Sequence, residues 1–152
     1  MKKYALILIL AIASLPCAPA LAADKAEPAS QKTRDGVFIH VTSGPESAHR
    51  VLMALKMATA MSENGAKDVL LYFDIEGIKV LLKDAPDIEH KGFEGSKKQI
   101  ALLLKRGVPI FACPGCLKAF DKTPEDLMTG VQVANRDAFF SFTKGRILTL
   151  DY

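Results

Sequence analysis

One segment indicates how this chain is organised: Gly107-Val108-Pro109-Ile110-Phe111-Ala112-Cys113-Pro114-Gly115-Cys116-Leu117. Its apolar residues predict a short strand over 108–112, and Pro109, which has no amide hydrogen, favours a strand start or a sheet edge. The strand runs directly into Cys113, and Pro114 suits the first turn of a following helix. A strand followed at once by a helix is the repeating unit of α/β proteins, so the segment predicts that class.

The same alternation is found earlier in the chain. Two compact β-rich runs, 37–41 and 69–73, predict buried strands. An amphipathic pattern between them predicts a long helix over 45–64. Ser43 and Glu46 have the spacing of a reciprocal cap at the start of that helix. This part of the chain therefore predicts a strand–helix–strand unit.

The remaining elements are shorter. Residues 78–82 fit either a strand or a helical turn. Ser96 and Gln99 form a second capping pattern, which predicts a helix immediately before the segment quoted above. Residues 137–144 predict a last helix, and residues 146–150 a terminal strand.

Taken together, these elements predict a three-layer α/β fold, with a mostly parallel β-sheet and helices on both faces. In such sheets, binding and catalytic sites collect at the carboxyl ends of the strands. Residues 42–46 follow the first predicted strand, and residues 112–116 follow the third. We therefore expect the vicinal cysteines to lie at the functional edge of the sheet.

The amino terminus has the features of an export signal. Lys2 and Lys3 precede an apolar run over 4–15, and the small-x-small pattern at 20–22 predicts cleavage after Ala22. The apolar run has about a dozen residues, whereas a membrane span needs about 20. The sequence therefore predicts a signal peptide over 1–22 and a periplasmic location.

What remains after cleavage bounds the function. Residues 23–35 predict a flexible leader, and residues 36–152 are enough for one domain with a hydrophobic core. Loss of Lys2 and Lys3 turns 20 basic and 17 acidic residues into 18 and 17. A nearly neutral domain has no basic surface for nucleic acid or anionic lipid. Because Cys17 is removed with the signal peptide, the mature domain retains two cysteines.

Those two cysteines, Cys113 and Cys116, are the predicted catalytic residues. The first lies at a predicted helix start, where backbone amides favour a thiolate, and the second lies one turn further on. The spacing suits a persulfide carrier, a dithiol oxidoreductase or a soft-metal clamp. A single CxxC pair is a weak zinc signal, and no Met-rich or His-rich tract supports Cu(I), so we predict no metal and no cofactor.

The other candidates are histidines and late aromatic residues. His49 and Ser43 are auxiliary candidates, because both are close in sequence to the predicted functional edge. His40 lies within the first strand, where a packed or hydrogen-bonded histidine is expected. His90 falls in a loop and is expected in solvent. The aromatic residues of 139–142 are expected in the core or at a subunit interface.

The chain resembles the DsrE/DsrF-like (YchN-like) family over 36–152. The resemblance lies in the strand 37–41 with its following turn and helix, in the strand 69–73 with Gly77 after it, and above all in 107–117. It implies a compact domain with a mostly parallel sheet, assembled as trimers or hexamers.

The resemblance also implies a chemistry. Family members in sulfur relay carry sulfur as a persulfide on a cysteine after this strand, which corresponds to Cys113 or Cys116. Those members work in the cytoplasm, whereas this chain is predicted to be exported. We therefore predict an exported sulfur- or thiol-handling protein, acting as a persulfide carrier or sulfurtransferase with a donor or thiol-redox partner protein. A periplasmic dithiol redox protein and a non-catalytic oligomeric binding module with a CxxC disulfide are the alternatives.

Overall fold

Within the part of the chain that the structure describes, five strands form one sheet, in which each neighbouring pair is parallel. The computed structural model describes residues 33–65 and 67–152, so the predicted signal peptide and most of the predicted leader lie outside the described residues. The strand order is β4-β3-β2-β1-β5. The strands are β1 (Gly36–Val41), β2 (Asp68–Phe73), β3 (Ile110–Ala112), β4 (Gln132–Val133) and β5 (Ile147–Asp151).

Among the described residues, four α-helices and four 3₁₀ turns accompany these strands. The α-helices are α1 (Ala48–Ser62), α2 (Ser96–Lys105), α3 (Pro114–Ala119) and α4 (Ala138–Ser141). The 3₁₀ turns are Pro45–Ser47, Glu63–Gly65, Ile75–Leu81 and Pro124–Asp126. None of the described helices combines the length and the apolar character needed to cross a bilayer.

One face of the sheet is covered by α1 and α2. Alternate residues of a strand point to the same face, so each central strand contributes three side chains to this layer. They are Val37, Ile39, Val41, Val69, Leu71 and Phe73, and they join one buried cluster with Leu52 and Leu55 of α1 and Ile100 and Leu103 of α2.

The opposite face is covered in part by α4. Phe38 of β1 and Tyr72 of β2 alternate with the buried residues and point away from α1. The ring of Phe139 packs edge-on against both, with centroid distances of 5.8 Å and 5.0 Å. Helices therefore lie on both faces of a parallel sheet, which confirms the predicted three-layer α/β fold.

The start of the long helix differs from the prediction. Residues Pro45–Ser47 form a 3₁₀ turn, and the α-helix begins at Ala48. Ser43 does not cap this turn, because the capping position is occupied by Gly44, which has no side chain; the N–H of Ser43 is directed to the carbonyl of Tyr152 after β5. The carboxylate of Glu46 accepts a hydrogen bond from the N–H of Gly44 instead, at 2.9 Å.

The second predicted cap is also replaced by longer-range bonds. Ser96 lies inside α2, and its hydroxyl donates to Asp87 and accepts from the N–H of Ile88, both at 2.9 Å. The amide of Gln99 donates to the carbonyl of Glu94 at 2.7 Å. These bonds fasten the preceding loop to the helix, which a local capping box does not do.

Three other boundaries are corrected. The ambiguous segment around 78–82 belongs to the 3₁₀ turn Ile75–Leu81, and the last helix is only one turn long. The third strand begins at Ile110 rather than at 108, because Pro109 has no N–H to give to a ladder. The carbonyl of Pro109 still accepts from Leu71 of β2 at 3.0 Å.

Candidate functional site

The thiol pair lies where β3 ends and α3 begins, at the carboxyl edge of the sheet. Cys113 is the residue before the helix, with φ −66° and ψ 120°, and Pro114 is its first residue. The N–H of Cys113 donates to the carbonyl of Phe73 at 2.9 Å, which ties the thiol to the end of β2. Both Cys113 and Cys116 are free and partly buried. The expected position of the pair is confirmed.

Cys113 is surrounded by hydrogen-bond donors. Burial raises the pKa of the Cys113 thiol, but hydrogen bonding from Tyr72 and from the groups at the start of α3 lowers it and outweighs burial. The backbone N–H of Cys116 points at the same sulfur, 3.4 Å away. The Cys116 thiol and the N–H of Gly115 add to these donors. The pKa of Cys113 is therefore below its ordinary value, which favours the reactive thiolate.

Cys116 is in the opposite electrostatic situation. Burial raises its pKa, and the negative charge that develops on Cys113 raises it further. The N–H of Ile75 donates to the Cys116 sulfur at 3.1 Å and opposes both effects without cancelling them. The two thiols are thus unequal, with Cys113 the better nucleophile and Cys116 the proton-bearing partner.

Ile75 is held in an unusual backbone conformation. Its φ is +45°, in the left-handed region that a β-branched residue rarely adopts. Gly77, two residues on, allows the turn to approach β1, since a Cβ there would lie 2.3 Å from the carbonyl oxygen of Val41. This close approach holds the strained turn in place. The N–H of Ile75 is consequently directed at the Cys116 sulfur.

A histidine and two carboxylates adjoin the thiols through Tyr72. The ring of His40 stacks on that of Tyr72, at a centroid distance of 5.6 Å and an angle of 21°. Its Nδ1 lies 3.0 Å from Asp151, and its Nε2 lies 3.0 Å from Asp74 without hydrogen-bond alignment. Burial favours the neutral ring, but the carboxylates outweigh it and raise the pKa of His40.

The prediction for His40 was right about its hydrogen bonding and missed its position beside the site. Alternation within the strand carries a signal, since His40 and Tyr72 occupy paired positions of β1 and β2 and so share one face. Asp151 pairs with His40 from the other side, in β5. The pairing of strands this far apart in sequence is needed to see that these residues meet.

The auxiliary candidates lie in other surroundings. The ring of His49 stacks on that of His90, with centroids 4.8 Å apart and planes at 6°, and it meets Phe93 edge-on. His90 is exposed as predicted, yet it is part of this stack. Ser43 is buried beside the end of β5, and its N–H is directed to Tyr152. The described contacts join neither His49 nor Ser43 to the thiols.

The chemistry of the site is therefore that of two thiols with unequal acidity. Over residues 33–65 and 67–152, no group of three or more His, Cys, Asp or Glu side chains is arranged to hold a metal ion. Cys113 is placed to attack an electrophilic sulfur, and Cys116 is placed to act second. Tyr72 and the N–H of Ile75 are the functional groups that pattern reasoning did not find.

Comparison with known proteins places this site in a family. A model of the DsrE/DsrF-like family matches residues 35–144. No curated protein matches the chain at a significant level. Two solved structures are similar in fold: the ychN protein from E. coli, with 17% identity and a TM-score of 0.62, and MTH1491 from Methanobacterium thermoautotrophicum, a protein of unknown function, with 18% and 0.56. Each alignment covers 77% of this chain and 99% of the other.

The family model spans the sheet from the start of β1 to the turn before β5, including both thiols. The solved structures agree with it in fold. The chain belongs to the DsrE/DsrF-like family.

Proposed function

We propose that this protein handles sulfur by carrying it as a persulfide on Cys113. The observation that supports the proposal is the unequal environment of the two thiols: Tyr72 and backbone amides stabilise a thiolate on Cys113, whereas Cys116 keeps its proton. The association of the family with sulfur relay points the same way. A protein that only stapled its fold with a CxxC disulfide would have no need of this difference.

The loading step balances without an oxidant. The Cys113 thiolate attacks the sulfane sulfur of a donor, and the bond between that sulfur and the rest of the donor breaks. A new S–S bond forms on Cys113, and the donor leaves with the electron pair as a thiolate or a sulfinate. The hydroxyl of Tyr72 is placed to hydrogen-bond the sulfur that carries charge at the start of this step.

Dithiol redox chemistry is the second candidate. It is favoured by the position of the two cysteines in the first turn of α3, where the backbone N–H of Cys116 is 3.4 Å from the Cys113 sulfur, since neighbouring thiols can close to a disulfide. A non-catalytic oligomeric binding module is the third. A carrier, unlike either alternative, holds an extra sulfur atom on a single cysteine.

Export, assembly and partners belong to the same proposal. The signal-like terminus over 1–22 supports a periplasmic location. Exposed apolar residues support assembly with other copies, as a trimer or hexamer by family resemblance. On β5, Ile147 and Leu148 are 50% and 53% exposed. The partner is a sulfur-donor or thiol-redox protein.

The test is the intact mass of the reduced protein after treatment with benzenethiosulfonate, a sulfane-sulfur donor. In Cys116→Ser, we expect a gain of about 32 Da from one added sulfur atom. In Cys113→Ser, the loaded fraction should be much smaller at the same time point, because the remaining thiol keeps its proton. No adduct in Cys116→Ser, or equal loading of both variants, contradicts the assignment of Cys113 as the carrier.

A further inference from the structure

We propose that the sulfur loaded on Cys113 is released as hydrosulfide by Cys116, so that the pair converts sulfane sulfur to sulfide and is left as a Cys113–Cys116 disulfide. The inference rests on the proposed function, since it begins from the Cys113 persulfide. It assigns hydrosulfide as the product of the site. It also makes persulfide formation and disulfide formation successive steps of one reaction cycle.

The second thiol is placed to reach the loaded sulfur. Cys113 and Cys116 lie at the first turn of α3, and the backbone N–H of Cys116 is 3.4 Å from the Cys113 sulfur. The Cys113 and Cys116 thiols are also close enough to shift each other's pKa in opposite directions. An attacking sulfur is therefore beside the inner sulfur of any persulfide formed on Cys113. A persulfide at this position is exposed to an internal nucleophile at high effective concentration.

Loading activates that nucleophile. In the unloaded protein, burial and the charge on Cys113 raise the pKa of Cys116 and keep it protonated. When Cys113 becomes a persulfide, its own sulfur is bonded on both sides, and the negative charge passes from that sulfur to the outer sulfur. The N–H of Ile75, 3.1 Å from the Cys116 sulfur, then remains as a stabilising contact for a thiolate. Burial and the charge of Asp74 still favour the protonated thiol, so Cys116 gives its proton to the outer sulfur as it attacks.

The release step balances as an internal exchange. Cys116 passes its proton to the outer sulfur of the persulfide anion and attacks the inner sulfur as a thiolate, so that a bond forms between the two Sγ atoms and the bond to the outer sulfur breaks. The outer sulfur leaves with the electron pair as HS⁻, while the two cysteine sulfurs are oxidised to the disulfide. Return to the dithiol form takes two electrons, which a dithiol protein supplies by thiol–disulfide exchange. In this scheme the thiol-redox partner is a reductant of the pair.

The backbone around Ile75 supports this reading. A left-handed φ at a β-branched residue is unfavourable and persists where the surrounding structure enforces it. Here the enforced conformation directs one N–H at the sulfur of Cys116. A resting thiol has little need of such a contact, whereas an attacking or departing thiolate is stabilised by it.

The experiment compares the wild-type protein with Cys116→Ser. Both are reduced, freed of reductant, and treated with benzenethiosulfonate, which contains sulfane sulfur and no sulfide. Free sulfide is measured with an electrode, and the intact mass is recorded at the same times. Cys113→Ser serves as the matched control for attack by Cys116 alone, and circular dichroism checks that the variants are folded.

The wild type and Cys116→Ser are expected to differ both in sulfide release and in final mass. The wild type should release about one equivalent of sulfide per chain and end about 2 Da lighter than the reduced protein, as a disulfide. Cys116→Ser should release almost none and keep the adduct of about 32 Da. Wild-type protein that keeps the adduct without sulfide release overturns the inference and leaves the carrier role standing. Absence of the adduct in Cys116→Ser overturns the carrier role itself.

Discussion

At the scale of single residues, the acidity of Cys113 depends on one hydroxyl outside the cysteine motif. Tyr72 belongs to β2, and hydrogen bonding from its hydroxyl lowers the pKa of Cys113 against the raising effect of burial. In return, burial and the charge on Cys113 strongly raise the pKa of Tyr72, so the hydroxyl keeps its proton over the physiological range. Tyr72 is therefore a permanent donor and can stabilise the thiolate at any pH at which the thiolate forms.

Replacing Tyr72 with Phe should make Cys113 less acidic. The ring and its packing stay, and only the donor is lost, so we expect the pKa of Cys113 to rise by about one unit. Alkylation by iodoacetamide at about pH 7 should then slow by about three- to tenfold, because less thiolate is present. The rate is measured against pH in a Cys116→Ser background, which leaves one mature thiol. Tyr152→Phe is the control, and an unshifted profile in Tyr72→Phe contradicts the role.

His40 makes the stability of the fold depend on pH. Its pKa is raised because the carboxylates of Asp74 and Asp151 outweigh burial. The stabilisation from the charged ring is therefore fully present below the ordinary histidine pKa of about 6.5 and is lost as pH rises through the higher pKa of the folded state.

The test is the difference in unfolding free energy between wild type and His40→Gln. We expect this difference to be larger at about pH 5.5 than at about pH 8.5, by about 0.5 to 1 kcal/mol, because the pair is partly exposed. Asp151→Asn removes one partner and should reduce the pH dependence. The free energies of unfolding are measured by urea unfolding at both pH values. An equal difference at both pH values would show that the ion pairs do not stabilise the fold.

At the scale of elements, the 3₁₀ turn Ile75–Leu81 connects the core to the site. Its inner residues Ile78 and Leu81 are buried, and its first residue presents an N–H to Cys116. The approach of Gly77 to the carbonyl of Val41 sets how close the turn lies to β1. Any displacement of this turn therefore moves the N–H of Ile75 relative to the Cys116 sulfur.

Gly77→Ala should therefore destabilise the protein. The added methyl would overlap the carbonyl of Val41, and overpacking of this kind costs about 1 to 3 kcal/mol. Gly115→Ala is the matched control, since its added Cβ would meet only Cys113 Sγ at 3.8 Å. Within a helix that change should alter the unfolding free energy by less than about 1 kcal/mol. Urea unfolding of both variants decides, and equal effects would contradict the steric argument.

At the scale of the whole molecule, the two faces of the sheet are covered unequally. The helices α1 and α2 bury one face completely, whereas α4 is a single turn over the other. Phe139 is the contact of α4 with both central strands, and Phe140 beside it is 76% exposed. Phe139 is thus the residue that anchors α4 to the second face, which also holds Tyr72.

Phe139→Ala should cost about 1 to 3 kcal/mol of unfolding free energy, less than a fully buried phenylalanine because Phe139 is half-buried. Phe140→Ala, one residue away, should change it by less than about 0.5 kcal/mol. Chemical denaturation at dilute protein concentration compares them. Equal losses would mean that α4 is not anchored through Phe139.

Local sequence pattern was enough to predict the architecture and the position of the thiols. Runs such as 37–41 and 69–73, each an unbroken β-rich stretch, predict strands from local pattern alone, and their alternation with helices requires a parallel sheet. The predicted strand over 108–112 leads directly into Cys113, which places the thiol at the carboxyl edge of the sheet. Local pattern also placed Pro114 at the start of α3.

The tertiary structure alone decided how the two thiols differ. Tyr72 and the N–H of Ile75 lie some forty residues before the cysteines, and His40 meets Asp151 across β1 and β5. Register between strands and the close approach of one turn bring these groups together, and neither is encoded in local periodicity. The CxxC motif identifies the two reactive residues. Which of the two is the better nucleophile depends on neighbouring groups that are brought together only in the folded sheet.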